Sequence, residues 1–295
     1  MIEIIDLNFK GKQNLIASFL VKNGNECALV ETGPDSCFAS MEKGLAANGV
    51  KISDIGAVFL THIHFDHAGA AWRFAQAGAK IYVHPEGHRH MLDPSRLVNS
   101  ATRIYGDQMD TLWGRMESIP AELLIAVEDR QIIKAAGTEF TAHFTPGHAK
   151  HHIAWQMDDD LFAGDVAGCR ILDGPVVLPT PPPDFDVELW RSSIRLMHKI
   201  QPKTIWVTHY GKSEDVETHL NELSTQLDAL MCLSLANFKK NGKIYEKMLE
   251  TFYRAYTMAY GLGEDVLDKY DSISPNWMNS QGLSRYCSKM LGESN

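Results

Sequence analysis

The stretch Thr61-His62-Ile63-His64-Phe65-Asp66-His67 sets three imidazoles and a carboxylate side by side. It lies directly behind an apolar run, Ile55-Gly56-Ala57-Val58-Phe59-Leu60, that reads as a buried strand. Imidazole nitrogen with carboxylate oxygen suits zinc, iron or manganese, whereas magnesium and calcium favour oxygen alone. A metal is therefore the first chemistry to expect. If the strand ends near Thr61, alternation sends His62 and His64 to one side of an extended segment, where two nitrogens can converge on one ion. The chain then turns, and Asp66 and His67 point elsewhere, which suits a second ion nearby. Both sets are incomplete, because a zinc-type site takes about four ligands and keeps one position open for water.

Distant strand ends supply the remaining donors. Phe140-Thr141-Ala142-His143-Phe144 is strand-like and runs into Thr145-Pro146-Gly147-His148, which puts a His just past a turn. Leu161-Phe162-Ala163-Gly164-Asp165 ends an apolar strand on a carboxylate, and Ile205-Trp206-Val207-Thr208-His209 ends another on a His. Each delivers one donor at its C-terminal end, the place where a sheet sandwich gathers ligands from far-apart sequence.

This ordered set resembles the metallo-β-lactamase fold superfamily: His62-x-His64-x-Asp66-His67, then His148 in a Thr-Pro-Gly-His turn, Asp165 after Gly164, and His209 in Thr-His-Tyr-Gly. The resemblance spans roughly residues 25 to 212. It implies an α/β fold, a four-layer αββα sandwich, with two divalent metal ions, zinc first and iron or manganese as alternatives, at one edge. Carried over residue by residue, it implies that His62, His64 and His148 hold the first metal, that Asp66, His67 and His209 hold the second, and that Asp165 bridges them. Glu31-Thr32-Gly33 stands where the family usually has Asp-Thr-Gly, whose Asp supports the ligands from behind. The Glu is one methylene longer.

Two divalent ions sharing a carboxylate lower the pKa of a bound water from about 15.7 towards ~7 and polarise a carbonyl. The expected function is thus a metal-dependent hydrolase that uses a metal-bound hydroxide on a carbonyl ester, thioester or lactone of a small-molecule substrate, with Asp66 or a metal-bound water assisting proton transfer. The alternatives in the same superfamily are a mononuclear-iron oxidoreductase similar to the persulfide dioxygenases, with iron on His62, His148 and Asp165, and a phosphodiesterase. A degenerate member that only binds is the non-enzymatic alternative. The plan of sandwich then helices loosely resembles glyoxalase II thioesterases, although no basic cluster for a glutathione carboxylate stands out. The quorum-sensing lactonases of the family carry a Tyr three residues after the bridging Asp, where this chain has Gly168.

The elements that must position these residues can be read around them. Asn14 to Lys22 and Cys27 to Val30 form a hairpin about Asn23-Gly24-Asn25. Ser40 to Asn48 is a helix closed by Asn48-Gly49. Ala68 to Ala77 is a short helix leading off the metal loop, and Lys80 to His84 is a strand. His84, His88 and His90 are read as a strand-end His and two solvated ones, and His152 as a structural group or a donor behind His148. The pattern leaves the sandwich at 91–126, a helical insertion rich in Met and Trp that either covers the sheet or walls the site. Prolines 175, 179, 181, 182 and 183 make 173–186 a stiff loop, followed by an amphipathic helix over Val187 to Ile200. The domain reading is a metallo-β-lactamase-like domain over 1–212 and a C-terminal helical region over 213–295. Apolar seams such as Leu220, Leu223, Leu227 and Leu230 mark that region as a covering bundle, a homodimer interface or a substrate-side cap.

With 295 residues, 44% of them hydrophobic and 22% charged, the chain can bury a full core. A net charge of −9 argues against a nucleic-acid partner, which needs clustered Lys and Arg. The odd set of Cys27, Cys37, Cys169, Cys232 and Cys287 holds no C-x-x-C pair and reads as reduced thiols of a cytoplasmic protein. The N-terminus shows no secretory pattern, and no apolar run reaches the roughly 18 residues of a membrane span.

Overall fold

The computed structural model describes residues 1–292; residues 293–295, the end of the region expected to be helical, lie outside the described residues. The chain divides into two compact units, 1–144 with 151–164, and 145–150 with 165 onward.

In the first unit β1 (Ile2–Asp6), β2 (Ala17–Asn23), β3 (Glu26–Val30), β4 (Ile55–Phe59), β5 (Lys80–Val83) and β6 (Leu124–Ala126) lie side by side in that order. The β2–β3 hairpin turns at Gly24, whose φ of 60° suits glycine. From β3 onward the pairs are parallel, and parallel strands need crossovers. Helices supply them: α1 (Phe38–Ala47), then α2 (Phe65–Ala68) and α3 (Ala71–Gln76), then α4 (Pro85–Leu92), α5 (Ser95–Tyr105) and α6 (Met109–Leu112). Within 91–126, where the sequence suggested helices, helical chain gives way to an edge strand. β7 (Ile132–Ala135), β8 (Thr138–Phe144), β9 (Ile153–Met157) and β10 (Asp160–Phe162) follow as an antiparallel meander.

Between these two β layers of the first unit lies an aromatic core. Phe59 stacks on Phe140 with centroids 4.1 Å apart and meets Trp155 edge-on at 4.9 Å, and Phe19 packs on Phe162 at 5.5 Å. Pairs of this kind contribute about 0.5–1.5 kcal/mol each beyond the area they bury. The Trp155 indole N–H donates to the Leu60 carbonyl at 2.9 Å, so the end of β4 is fixed one residue before Thr61.

The second unit carries α7 (Val187–Ile200), the β11 (Thr204–Val207) and β12 (Gly211–Ser213) hairpin, and α8 (Val216–Asn241), α9 (Glu246–Ala259), α10 (Glu264–Ile273) and α11 (Asn276–Leu291). The α8 leucines 220, 223, 227 and 230 are buried, as their spacing required. Asp215 caps α8 by accepting from the Thr218 N–H, and Gly242 at φ 68° ends it. Residues 174–180 have no regular structure, yet all are buried. All five cysteines are free thiols. Among the described residues no helix is long and apolar enough to cross a membrane.

Candidate functional site

Each unit carries a group of the expected donors. In the first unit they leave the end of β4 and continue into α2. His64 has extended backbone, φ −64° and ψ 154°, and the helix begins one residue later, so Asp66 and His67 sit on its single turn. The His62 Nε2 and His64 Nδ1 atoms face each other at 2.9 Å. The Asp66 carboxylate lies 3.7 Å from His67 Nε2 and is 16% exposed, while His67 is fully buried.

Behind them stands Glu31, with no exposed surface. Its carboxylate accepts from the Thr61 hydroxyl, and from His67 Nδ1–H at 3.0 Å. Because the Thr61 hydroxyl gives its hydrogen to Glu31, its oxygen is left to accept from His62 Nδ1–H at 3.0 Å. The network therefore assigns both imidazoles the Nδ1–H tautomer and leaves each Nε2 its lone pair. Glu31 has φ 65°, an uncommon backbone for a glutamate. The next residues add to the grip, since the N–H groups of Thr32 and Gly33 and the Thr32 hydroxyl all donate to the His67 carbonyl, at 2.8, 3.1 and 3.0 Å. The longer residue at position 31 thus reaches the histidines. Glu31, His62 and His67 together form a group of donor atoms mutually within 4.8 Å.

In the second unit the donors converge on Asp165, in a short turn over Gly164–Ala167. Its Oδ2 lies 3.4 Å from His148 Nε2, and its Oδ1 lies 3.5 Å from His209 Nε2. All three residues are buried. His148 Nδ1–H donates to the Pro179 carbonyl at 2.9 Å, which again leaves Nε2 a lone pair. The preceding Gly147 is required: a Cβ there would fall 2.4 Å from Trp190 Cα.

Ligands held about 2.0–2.2 Å from a tetrahedral ion lie about 3.3–3.6 Å apart. The Asp165 contacts match that edge length, and the His62–His64 pair is slightly shorter. Imidazole and carboxylate donors, with the Nδ1–H tautomer set at His62, His67 and His148, fit a divalent transition metal.

Other histidines have other uses. His84 caps α4 by accepting from the Glu86 N–H at 3.1 Å, and burial pushes its imidazole down to about 4. His88 meets the Leu124 carbonyl at 3.3 Å. His152 is buried with its ring 5.2 Å from that of His62. Sequence reasoning passed over the Thr61 hydroxyl and the Pro179 carbonyl, and it offered the 91–126 region as a cover or a wall without saying which aromatic side chains meet there. There Trp113 stacks on Phe9 at 5.6 Å and meets Tyr105 edge-on at 5.3 Å and Phe65 at 6.2 Å. Burial, with the Asp66 charge adding to it, raises the Tyr105 phenol above its usual range, and Phe65, which joins this aromatic group, directly precedes Asp66 in sequence. A Thr preceding a ligand His was a visible signal; a backbone carbonyl gives none.

Residues 12–209 match the family model described as the Metallo-beta-lactamase superfamily. A metallo-beta-lactamase fold-containing protein of Sulfurisphaera tokodaii is 28% identical over 203 residues, 67% of this chain and 76% of the relative. A hydroxyacylglutathione hydrolase of Synechococcus sp. is 29% identical over 48% of this chain and 50% of its own length. Among solved structures, a metallo-beta-lactamase family protein of Thermus thermophilus superposes with a TM-score of 0.71 at 20% identity, covering 99% of this chain and 94% of that one. That likeness shows the fold, an α/β sandwich with C-terminal helices.

Proposed function

From the premise that the chain belongs to the metallo-beta-lactamase superfamily and is one of its metallo-hydrolases, we propose that it hydrolyses an acyl thioester or ester at a centre of two divalent ions. His62, His64 and His148 would hold one ion, Asp66, His67 and His209 would hold the other, and Asp165 would serve both. The observation that carries this reading is the division of the Asp165 carboxylate, one oxygen beside His148 and the other beside His209. One oxygen beside each of two different imidazole nitrogens is the arrangement that a carboxylate shared by two ions would present.

Divalent ions, when bound, supply an acidified water and a polarised carbonyl. The chain's own part is to hold, orient and move protons. Glu31 and Thr61 fix the tautomers and aim of His62 and His67, and Pro179 does so for His148. Asp66, partly exposed, is the group that takes up the proton of the attacking water. The aromatic group of Tyr105, Trp113 and Phe65, the last of them next to Asp66 in sequence, suits an apolar acyl chain or ring. Gly168 has φ 76°, and a Cβ there would fall 2.7 Å from Val176 Cγ1 and 2.9 Å from the Val177 carbonyl. A phenol of the lactonase kind has no room at that position, which moves the lactone behind the thioester and ester. The similarity to a hydroxyacylglutathione hydrolase favours the thioester.

Metal analysis of protein purified without added metal, followed by assays on acyl thioesters, p-nitrophenyl esters, lactones and phosphodiesters with zinc, manganese and iron, tests the proposal. Two ions per chain with thioester or ester turnover is the expected result. One iron per chain with oxygen consumption, or activity confined to phosphodiesters, would overturn it.

A further inference from the structure

The segment 174–183 is poor in backbone donors, because five of its residues are proline, and it has no regular secondary structure. Its buried part, 174–180, needs partners for its remaining polar groups. Val177 exchanges both backbone hydrogen bonds with Cys169, at 2.8 and 2.9 Å, and the C-terminal helices supply further partners. Glu222 of α8 accepts from the Val176 N–H at 2.8 Å. The Tyr270 hydroxyl of α10 donates to the Pro175 carbonyl at 2.7 Å and accepts from the Ile171 N–H at 3.0 Å. The Tyr253 hydroxyl of α9 reaches the Leu178 carbonyl at 3.3 Å. Finally Asn279 of α11, itself 2% exposed, accepts from the Thr180 N–H through its side-chain oxygen at 2.8 Å. Its side-chain NH2 is in turn fixed by the Ser274 hydroxyl and carbonyl, at 2.8 and 3.1 Å.

The last of these contacts differs in kind from the others. The Thr180 N–H and the Pro179 C=O belong to one peptide group, which is planar and stiff. Asn279 holds that plane by its N–H edge, and His148 donates to its C=O edge. Gly282 closes the fit from α11, because a Cβ there would fall 1.9 Å from the Thr180 carbonyl and 2.9 Å from Pro181 C. From this geometry we infer that Asn279 is a positioning residue for His148: the C-terminal region sets the aim and basicity of this imidazole through the Pro179–Thr180 peptide.

Two physical effects run along that path. Rotation of the peptide plane swings the carbonyl that anchors Nδ1–H, and with it the direction of Nε2. A hydrogen bond accepted from the N–H also polarises the carbonyl at the other edge, strengthening its bond to the imidazole and making Nε2 a better donor to a cation. The inference rests on the proposed role of His148 as a metal ligand, and the experiment separates the two.

The test measures zinc affinity by chelator competition in the full-length protein, with far-UV circular dichroism and the melting temperature of the zinc-free form recorded in parallel. Asn279→Leu should lower zinc affinity by about 10- to 100-fold. Asn279→Asp keeps an acceptor for the Thr180 N–H but gives up the bond to the Ser274 carbonyl, and should recover part of that loss. Tyr253→Phe removes a helix-to-loop bond one peptide away without touching the 179–180 plane, and should leave zinc affinity within about two-fold of wild type whatever it costs in stability. In the zinc-free protein, Asn279→Leu should also move the His148 Nδ1–H resonance upfield as its bond weakens. Equal zinc affinity in Asn279→Leu and wild type, or equal losses in Asn279→Leu and Tyr253→Phe, would overturn the positioning role. Unchanged affinity in His148→Ala would instead defeat the proposed ligand set.

Discussion

Glu31 offers the sharpest perturbation, because the substitution that restores the family's usual residue should damage this protein. Glu31→Asp withdraws the carboxylate by about 1.5 Å, one carbon–carbon bond. The bond to His67 Nδ1–H, now 3.0 Å, would open to about 4.5 Å, outside hydrogen-bond reach. The bond from the Thr61 hydroxyl would be lost in the same movement. Hydrogen bonds to a charged group contribute about 1.5–3 kcal/mol each, and the buried methylene adds about 0.8 kcal/mol. The low end of that sum is about 4 kcal/mol, and backbone adjustment at residue 31 would recover part of it, so a loss of about 2–4 kcal/mol is expected. Urea denaturation of the zinc-free protein reads this directly. Chelator competition should show zinc affinity reduced about 10- to 100-fold, because two imidazoles lose the group that fixes their tautomer. If Glu31→Asp matches wild type in both measurements, the Glu31 carboxylate does not organise His62 and His67.

A pH prediction follows from His84, whose imidazole burial pushes down to about 4, against about 6.5 in an unfolded chain. Between those values the unfolded chain binds the extra proton, so this contribution is complete above about pH 6.5 and is lost as pH falls towards 4. The loss amounts to as much as about 3 kcal/mol. His84→Asn keeps a cap for α4 and should flatten that part of the profile in urea titrations at pH 7 and 4.5; an unchanged slope would refute the assignment. Gly147→Ala, with its Cβ 2.4 Å from a backbone atom of α7, should cost about 3 kcal/mol or more, seen as a large fall in melting temperature. Trp113→Ala should raise KM for a long or aromatic acyl substrate by about ten-fold, roughly 1.4 kcal/mol, and change kcat little. An equal effect on acetyl and on aromatic acyl substrates would show that this aromatic group does not contact the acyl chain.

Most of the site's donors were legible because their chemistry is local. A His or Asp at the end of an apolar run announces itself by residue type, and the strand ahead of it follows from burial: β4 lies within the run that the pattern marked, and β8 and β11 overlap theirs, starting two residues and one residue earlier. The α7 helix emerged with the bounds its amphipathic spacing predicted. The edge strand β6 was harder to see. Leu124–Ala126 is only three residues long, and a short apolar run carries no periodicity that tells strand from helix.

What supports the donors was far less legible, and the reason is physical. The resemblance marked Glu31 as a support, but its reach to His67 comes from a backbone with positive φ, a conformation that residue identity does not encode for glutamate. Pro179 holds His148 by its carbonyl, a group every residue possesses. Asn279 lies 131 positions after His148 in sequence, and its contact depends on α11 meeting a loop with no pattern of its own. Donor identity is therefore a property of single residues, whereas donor aim is a property of the folded backbone around them. An imidazole misdirected by a few tenths of an ångström keeps its place in the motif and loses its value as a ligand. The substitutions at Glu31 and Asn279 separate the two, since they leave every expected donor in place and change only where the imidazoles point.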